Sequence, residues 1–244
     1  CRAMAALGHQ VVGVDQSQAM VELARGKTQE GADVRFCQSS IEDAPNVLAG
    51  ERFDLVTSMG VMYYLDDEND FFITAKALLG EAGQLIFTCR NRLFNLFSGS
   101  KKRLETLSGD DAKALLMELA NLNTQLAPAN AQALLQGLHQ LTSPEALAAL
   151  PPLVEDQLQE ISALESVIVE GRQHSPSELA GVASRNGFQV QQFYGVQPHF
   201  LVASASEPEV RQQLKKVAEA LFPLSAHPLA LSWSSHFMVD TRLS

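Results

Sequence analysis

Gly8-His9-Gln10-Val11-Val12-Gly13-Val14-Asp15-Gln16-Ser17 is an apolar run of strand length that closes on a carboxylate, with Ser17 standing where a helix N-cap belongs. In open α/β sheets ligands bind beyond the carboxyl ends of the strands, and an acid placed there can accept hydrogen bonds from both hydroxyls of a ribose. Asp15 is therefore the first candidate for a cofactor contact. A strand of this kind is normally the second of its domain, behind a first strand, a glycine-rich turn and a helix, yet only Cys1 to Leu7 stand before it. The expectation is a chain that begins inside its own domain, with Cys1 to Leu7 as the end of that helix.

Working outward, strand and helix signals alternate through the first ninety or so residues, the pattern of βαβ units and a parallel sheet. The spacing predicts strands at Val11–Asp15, Val34–Cys37, Phe53–Thr57 and Gln84–Cys89, the last announced by Glu81-Ala82-Gly83 as a turn. Helices are expected at Gln18–Lys27 and Asn69–Leu79. Each strand is short and nearly all apolar, as when helices cover both faces. From about Arg92 to Gly171 the chain turns to long Leu/Ala/Gln/Glu segments of helical spacing, broken at Pro128, Pro144 and Pro151-Pro152. Alternation returns with Ser175-Pro176-Ser177-Glu178 opening a helix that Asn186-Gly187 stops. A strand over Phe188–Tyr194, an amphipathic helix over Glu207–Phe222 and a final strand over Ser235–Thr241 complete the reading. The organisation expected is a cofactor-binding part over 1–91, a helical insertion or lid over 92–171, and the rest of the same domain over 172–244.

With 244 residues and 46% hydrophobic composition the chain can bury a sizeable core. A net charge of -10, from 18 Lys+Arg against 28 Asp+Glu, argues against general nucleic-acid binding, because phosphate contacts need clustered cations. Cys1, Cys37 and Cys89 are far apart and lack ligand spacing, so neither a disulfide framework nor a metal site is expected, and a reducing cytoplasm fits. No run of about 18 apolar residues is present. Neither a membrane span nor a signal peptide is read.

Four segments together resemble the class I S-adenosylmethionine-dependent methyltransferases: Val11 to Ser17, Val34-Arg35-Phe36 through Glu42-Asp43-Ala44-Pro45, Phe53 to Val61, and Leu79 to Leu85. His174-Ser175-Pro176-Ser177-Glu178-Leu179 with Asn186-Gly187-Phe188 adds a fifth. The resemblance implies an α/β, Rossmann-like doubly wound, mostly parallel sheet with an antiparallel last strand, the first strand missing, and a helical insertion after the fifth strand. It implies S-adenosyl-L-methionine as cofactor and methyl transfer to a small or medium-sized acceptor, on oxygen or nitrogen. Asp15 would hold the ribose with Gln16 beside it, Ser40 and Ile41 would meet the adenine, and Ser58, Met59 and Gly60 would lie along the methionine part. Ser40 stands where an acid is usual. Ser39 and Ser40 equally suit a simple turn. The family's glycine-rich turn is absent from this sequence.

On the acceptor side, Tyr63 and Tyr64 would offer π-electron density to a sulfonium, and Arg90 and Arg92 could hold a carboxylate or phosphate. For weakly acidic nucleophiles the protein must also take a proton, and His174, His199 and Tyr64 are the candidates. Leu93-Phe94-Asn95-Leu96-Phe97 would anchor the insertion as a lid or simply pack a helix on the core. Two other readings remain open at this point: a nicotinamide-dependent Rossmann dehydrogenase, which also places an acid on a ribose, and a noncatalytic binding domain of the same fold.

Overall fold

A computed structural model describes residues 1–29, 31–96, 111–124, 171–196, 215–216 and 219–244. The chain divides into two compact units, the first of Cys1–Val56 with Leu65–Leu85 and Leu243, the second of Thr57–Tyr64 with Ile86–Arg242 and Ser244.

In the first unit, helix α1 (Arg2–Ala6) precedes β1 (Val11–Asp15), α2 (Gln18–Gly26), β2 (Val34–Gln38) and α3 (Ala44–Val47). The unit also holds the opening residues of β3 (Phe53–Ser58), helix α4 (Glu68–Leu78) and the opening residues of β4 (Leu79–Asn91). Strands β1 and β2 pair in parallel from Val11↔Val34 to Asp15↔Gln38, so both end at the same edge. Helix α2 starts where Ser17 Oγ accepts the Met20 N–H, as its sequence predicts. A core of Ala44, Leu48 and Leu78, joined by Val12, Cys37, Phe53 and Val56, draws residues from β1, β2, β3, α3 and α4 together. Phe71 and Phe72 of α4 are 1% and 0% exposed, each contributing roughly 1.5–3 kcal/mol of burial.

The second unit holds the carboxyl ends of β3 and β4, then α5 (Ala112–Thr124), β5 (Gln173–His174), α6 (Pro176–Arg185), β6 (Phe188–Val196), α7 (Pro228–Ser232) and β7 (His236–Leu243). Strand order is β3-β4-β7-β6, with β5 pairing β4 in parallel. The Asn91 N–H at the end of β4 donates to the Ser235 carbonyl just before β7, and the Ser244 N–H just after β7 donates to Gly187 just before β6. Strand β7 thus runs antiparallel to both neighbours, as expected, and its first residue lies at the edge where β4 ends. Helix α6 opens on a reciprocal Ser175/Glu178 capping box. Leu115, Leu119 and Leu122, on one face of α5, pack on Leu93 and Leu96 of the 3-10 turn Arg92–Leu96.

Three features depart from the sequence reading. Strand β4 begins at Leu79 and runs through Glu81-Ala82-Gly83, expected as a turn. A Cβ on Gly83 would lie 2.8 Å from Leu79 Cδ2 and 3.0 Å from the Gly80 carbonyl, so glycine lets the strand bend there without stopping. The two-residue β5 and the five-residue α7 are too short to carry a periodic signal. Phe97, most of the stretch from 92 to 171, and most of the helix expected over Glu207–Phe222 lie outside the described residues. No helix among the described residues is long and apolar enough to cross a membrane.

Candidate functional site

Local hydrogen bonds shape the tip of the β1/β2 pair. Asp15 is exposed, and its Oδ1 accepts the Ser17 N–H at 2.8 Å, which turns the carboxylate toward the start of α2. Gln38, in register with Asp15, donates from Nε2 to the Gln16 carbonyl at 3.2 Å, and the Ser39 N–H donates to the Asp15 carbonyl at 3.1 Å. Gln38 was not singled out from sequence, because only the strand register brings it beside Asp15. The Ser40 hydroxyl accepts the Asp43 N–H at 3.2 Å, and Ser39 Oγ donates to the Ser40 carbonyl at 2.9 Å. The serine pair thus forms a local turn, with the half-buried Ile41 following it.

In the second unit, Ser58 closes β3 and is 9% exposed, its hydroxyl lacking a hydrogen-bond partner among the described residues. Gly60 adopts φ 77°, a conformation costly for other residues, and its N–H donates to Thr88 Oγ1 at 2.8 Å. That fold-back leaves Met59 and Val61 exposed and sends Met62 into the core at 1% exposure. The 3-10 turn Met62–Tyr64 then brings the Tyr63 and Tyr64 rings to a centroid distance of 4.5 Å.

Arg90, from the end of β4, lies over the Tyr63 ring with its guanidinium carbon 4.7 Å from the centroid. His236, opening β7, lies 6.0 Å from the same ring, and its Nδ1 is 3.1 Å from Ser235 Oγ. Burial, and next a hydrogen bond with Tyr64, raise the Tyr63 phenol above its ordinary pKa, while Arg90 pulls the other way. Burial, with the Arg90 charge second, lowers His236. Residues 171–172 cross this cluster: the Arg172 N–H donates to the Tyr63 carbonyl at 3.1 Å, and a Cβ on Gly171 would lie 3.1 Å from that oxygen.

The remaining candidates divide. His174 stands in β5 opposite Asn91, at the carboxyl end of β4. Arg92 points elsewhere, bridging Asp111 and Glu178, with Nη1 at 2.7 Å from the Glu178 carboxylate. It ties the residue before α5 to the first turn of α6. Asn91, 2% exposed, donates to the Leu231 and Ser234 carbonyls and accepts from the Leu93 N–H, fixing the loop that leads to His236. His199 lies outside the described residues. His236 is not among the sequence candidates, because the pairing of the last strand beside β4, which delivers its first residue to this edge, is not written in the sequence. No group of three or more His, Cys, Asp or Glu among the described residues is placed to hold a metal ion.

The family described as "Methyltransferase domain" matches residues 1–87. A ubiquinone biosynthesis O-methyltransferase of Actinobacillus pleuropneumoniae is 33% identical over 99 residues, covering 39% of this chain and 42% of that protein. One of Methylobacterium is 33% identical over 96 residues, covering 39% of this chain and 38% of that protein. The matches thus span about two fifths of the length of these relatives. Among solved structures, one from Listeria monocytogenes assigned to the S-adenosylmethionine dependent methyltransferases superposes with a TM-score of 0.51 at 14% identity, covering all of this chain and 85% of that one. That likeness is one of fold.

Proposed function

We propose, for a chain whose residues 1–87 match the methyltransferase domain family, methyl transfer from S-adenosylmethionine to a hydroxyl of a small aromatic acceptor. When bound, the cofactor supplies an already activated methyl group, and the chain's task is to hold, align and desolvate the reactants. Asp15 and Gln16 take the ribose hydroxyls, and Ser40 and Ile41 meet the adenine through their backbone. The observation that carries the reading is the exposed Asp15 carboxylate at the shared carboxyl edge of β1 and β2. The unpartnered Ser58 hydroxyl also fits a ligand, because leaving a buried polar group unsatisfied costs about 1–3 kcal/mol.

Tyr64, 56% exposed beside Met59 and Val61, offers a flat apolar surface on which an aromatic ring can stack. Arg90 suits an acidic group on that ring. The relatives' names, which specify O-methylation in ubiquinone biosynthesis, support oxygen as the nucleophile. A cytoplasmic location fits the free thiols of Cys1, Cys37 and Cys89.

Calorimetric titration with S-adenosylmethionine, followed by mass spectrometry of protocatechuate incubated with both, tests the proposal. Binding together with a methylated product is expected. Binding without transfer to any phenol or amine would leave a noncatalytic binding domain, and no binding would remove the methyltransferase reading.

A further inference from the structure

We infer that His236 is the catalytic base, taking the acceptor's proton through Nε2. The inference rests on the methyl-transfer reading and adds to it the group that activates the acceptor. In a parallel sheet the acceptor meets the protein at the carboxyl edge, where β4 ends at Asn91. Because β7 runs antiparallel to β4, its first residue rather than its last reaches that edge, and that residue is His236. Asn91 fixes the preceding loop by holding the Leu231 and Ser234 carbonyls, which sets where the imidazole stands.

The groups facing His236 suit a base. Arg90 comes from β4 and Tyr63 from the turn after β3, with Tyr64 packed against Tyr63. Burial first, and then the nearby guanidinium, disfavour the imidazolium, so the imidazole stays neutral at physiological pH. Its phenol raised, Tyr63 stays protonated and does not compete for the proton. His236 Nδ1 lies 3.1 Å from Ser235 Oγ, and in the tautomer that donates from Nδ1 the lone pair of Nε2 serves the acceptor.

In the reaction Nε2 takes the hydroxyl proton as the acceptor oxygen bonds to the methyl carbon. The electron pair of the broken carbon–sulfur bond stays on sulfur, and the imidazolium then returns its proton to water. Charge and atoms balance without a metal or a redox partner.

The test compares the full chain with His236→Gln, using protocatechuate as acceptor. Expected are unchanged S-adenosylmethionine affinity by calorimetry, turnover lower by about a hundredfold or more, and loss of the acid limb of the pH–rate profile. NMR titration of the imidazole in the unaltered chain gives a readout independent of turnover. His236 should titrate below the ordinary histidine value and move upward in Arg90→Met. Titration at or above the ordinary value, or a His236→Gln enzyme that keeps its rate and acid limb, overturns the assignment while leaving methyl transfer intact. Failure of the unaltered chain to bind S-adenosylmethionine overturns both.

Discussion

Arg90 lies over the face of Tyr63, guanidinium carbon to ring centroid 4.7 Å. Such a contact contributes roughly 0.5–2 kcal/mol depending on desolvation. Arg90→Met should raise the KM for protocatechuate about tenfold, as expected for loss of a charge-assisted contact, and leave cofactor affinity unchanged. The Tyr63 phenol, already raised by burial, should titrate higher still once the opposing cation is gone. Carbon-labelled tyrosine NMR reads that shift, and a downward movement would contradict the placement of Arg90.

Asp15 serves binding more than folding. Its carboxylate is exposed and makes one local bond, to the Ser17 N–H. Asp15→Ala should leave the melting temperature nearly unchanged but weaken S-adenosylmethionine about tenfold or more, since two charge-assisted bonds to a ribose are lost. Equal affinities by calorimetry would remove Asp15 from the cofactor site.

Arg92 links Asp111, just before α5, to Glu178 in the first turn of α6, while Glu118 of α5 accepts from the Ser177 N–H and hydroxyl at the start of α6. The Arg92, Asp111 and Glu178 side chains are 27%, 40% and 38% exposed, so solvent screening limits each ion pair to about 1 kcal/mol or less. Arg92→Met should speed amide hydrogen exchange across Ala112–Thr124 and lower the melting temperature by only about 2–4 °C. Unaltered exchange in that helix would mean that the Leu115, Leu119 and Leu122 packing alone secures it.

What could be read in the sequence was local. The apolar run ending at Asp15, the Ser17 cap and the Ser175/Glu178 box are each written within a few consecutive residues, and each appears where expected. The partners that complete the sites are not local. Gln38 reaches Asp15 through strand register, and Arg92 meets Glu178 through the packing of α6. The antiparallel last strand is implied by the family resemblance, but that its first residue, His236, meets Arg90 and Tyr63 follows only from its pairing beside β4. Sequence alone therefore favoured histidines in loops expected near the sheet edge, His174 and His199, over one inside the last strand.

Gly195 marks a close crossing of β6 with α7 and the loop after it. A Cβ there would lie 2.5 Å from Ser234 Oγ and 2.7 Å from the Ala230 carbonyl, and the Ser234 hydroxyl is itself bound to that carbonyl at 2.6 Å. The obstacle is partly backbone, so the contact cannot be relieved by rotating a side chain. Gly195→Ala should destabilise the protein by about 1–3 kcal/mol, measured by denaturant unfolding. Gly26→Ala, with nothing within 4 Å of the new Cβ, is the control that should not.

His227 gives the fold a pH dependence of definite sign. Its Nδ1 accepts the Leu229 N–H at 3.1 Å to cap α7, so the ring must be neutral there, and its Nε2 is buried without a partner among the described residues. Burial lowers its pKa, and a proton added at Nδ1 would abolish the cap. The unfolded chain binds that proton at the ordinary value of about 6.5, so below it the unfolded state is the one favoured by added acid. His227 therefore contributes its full stability above about pH 6.5, and the contribution disappears as pH falls through the folded value. His236 is lowered in the same direction, which makes the comparison with His227→Asn necessary, since asparagine caps a helix without titrating in this range. Melting temperatures of the unaltered chain should fall more steeply than those of His227→Asn between about pH 7 and pH 5, and parallel curves would assign the acid sensitivity to other groups.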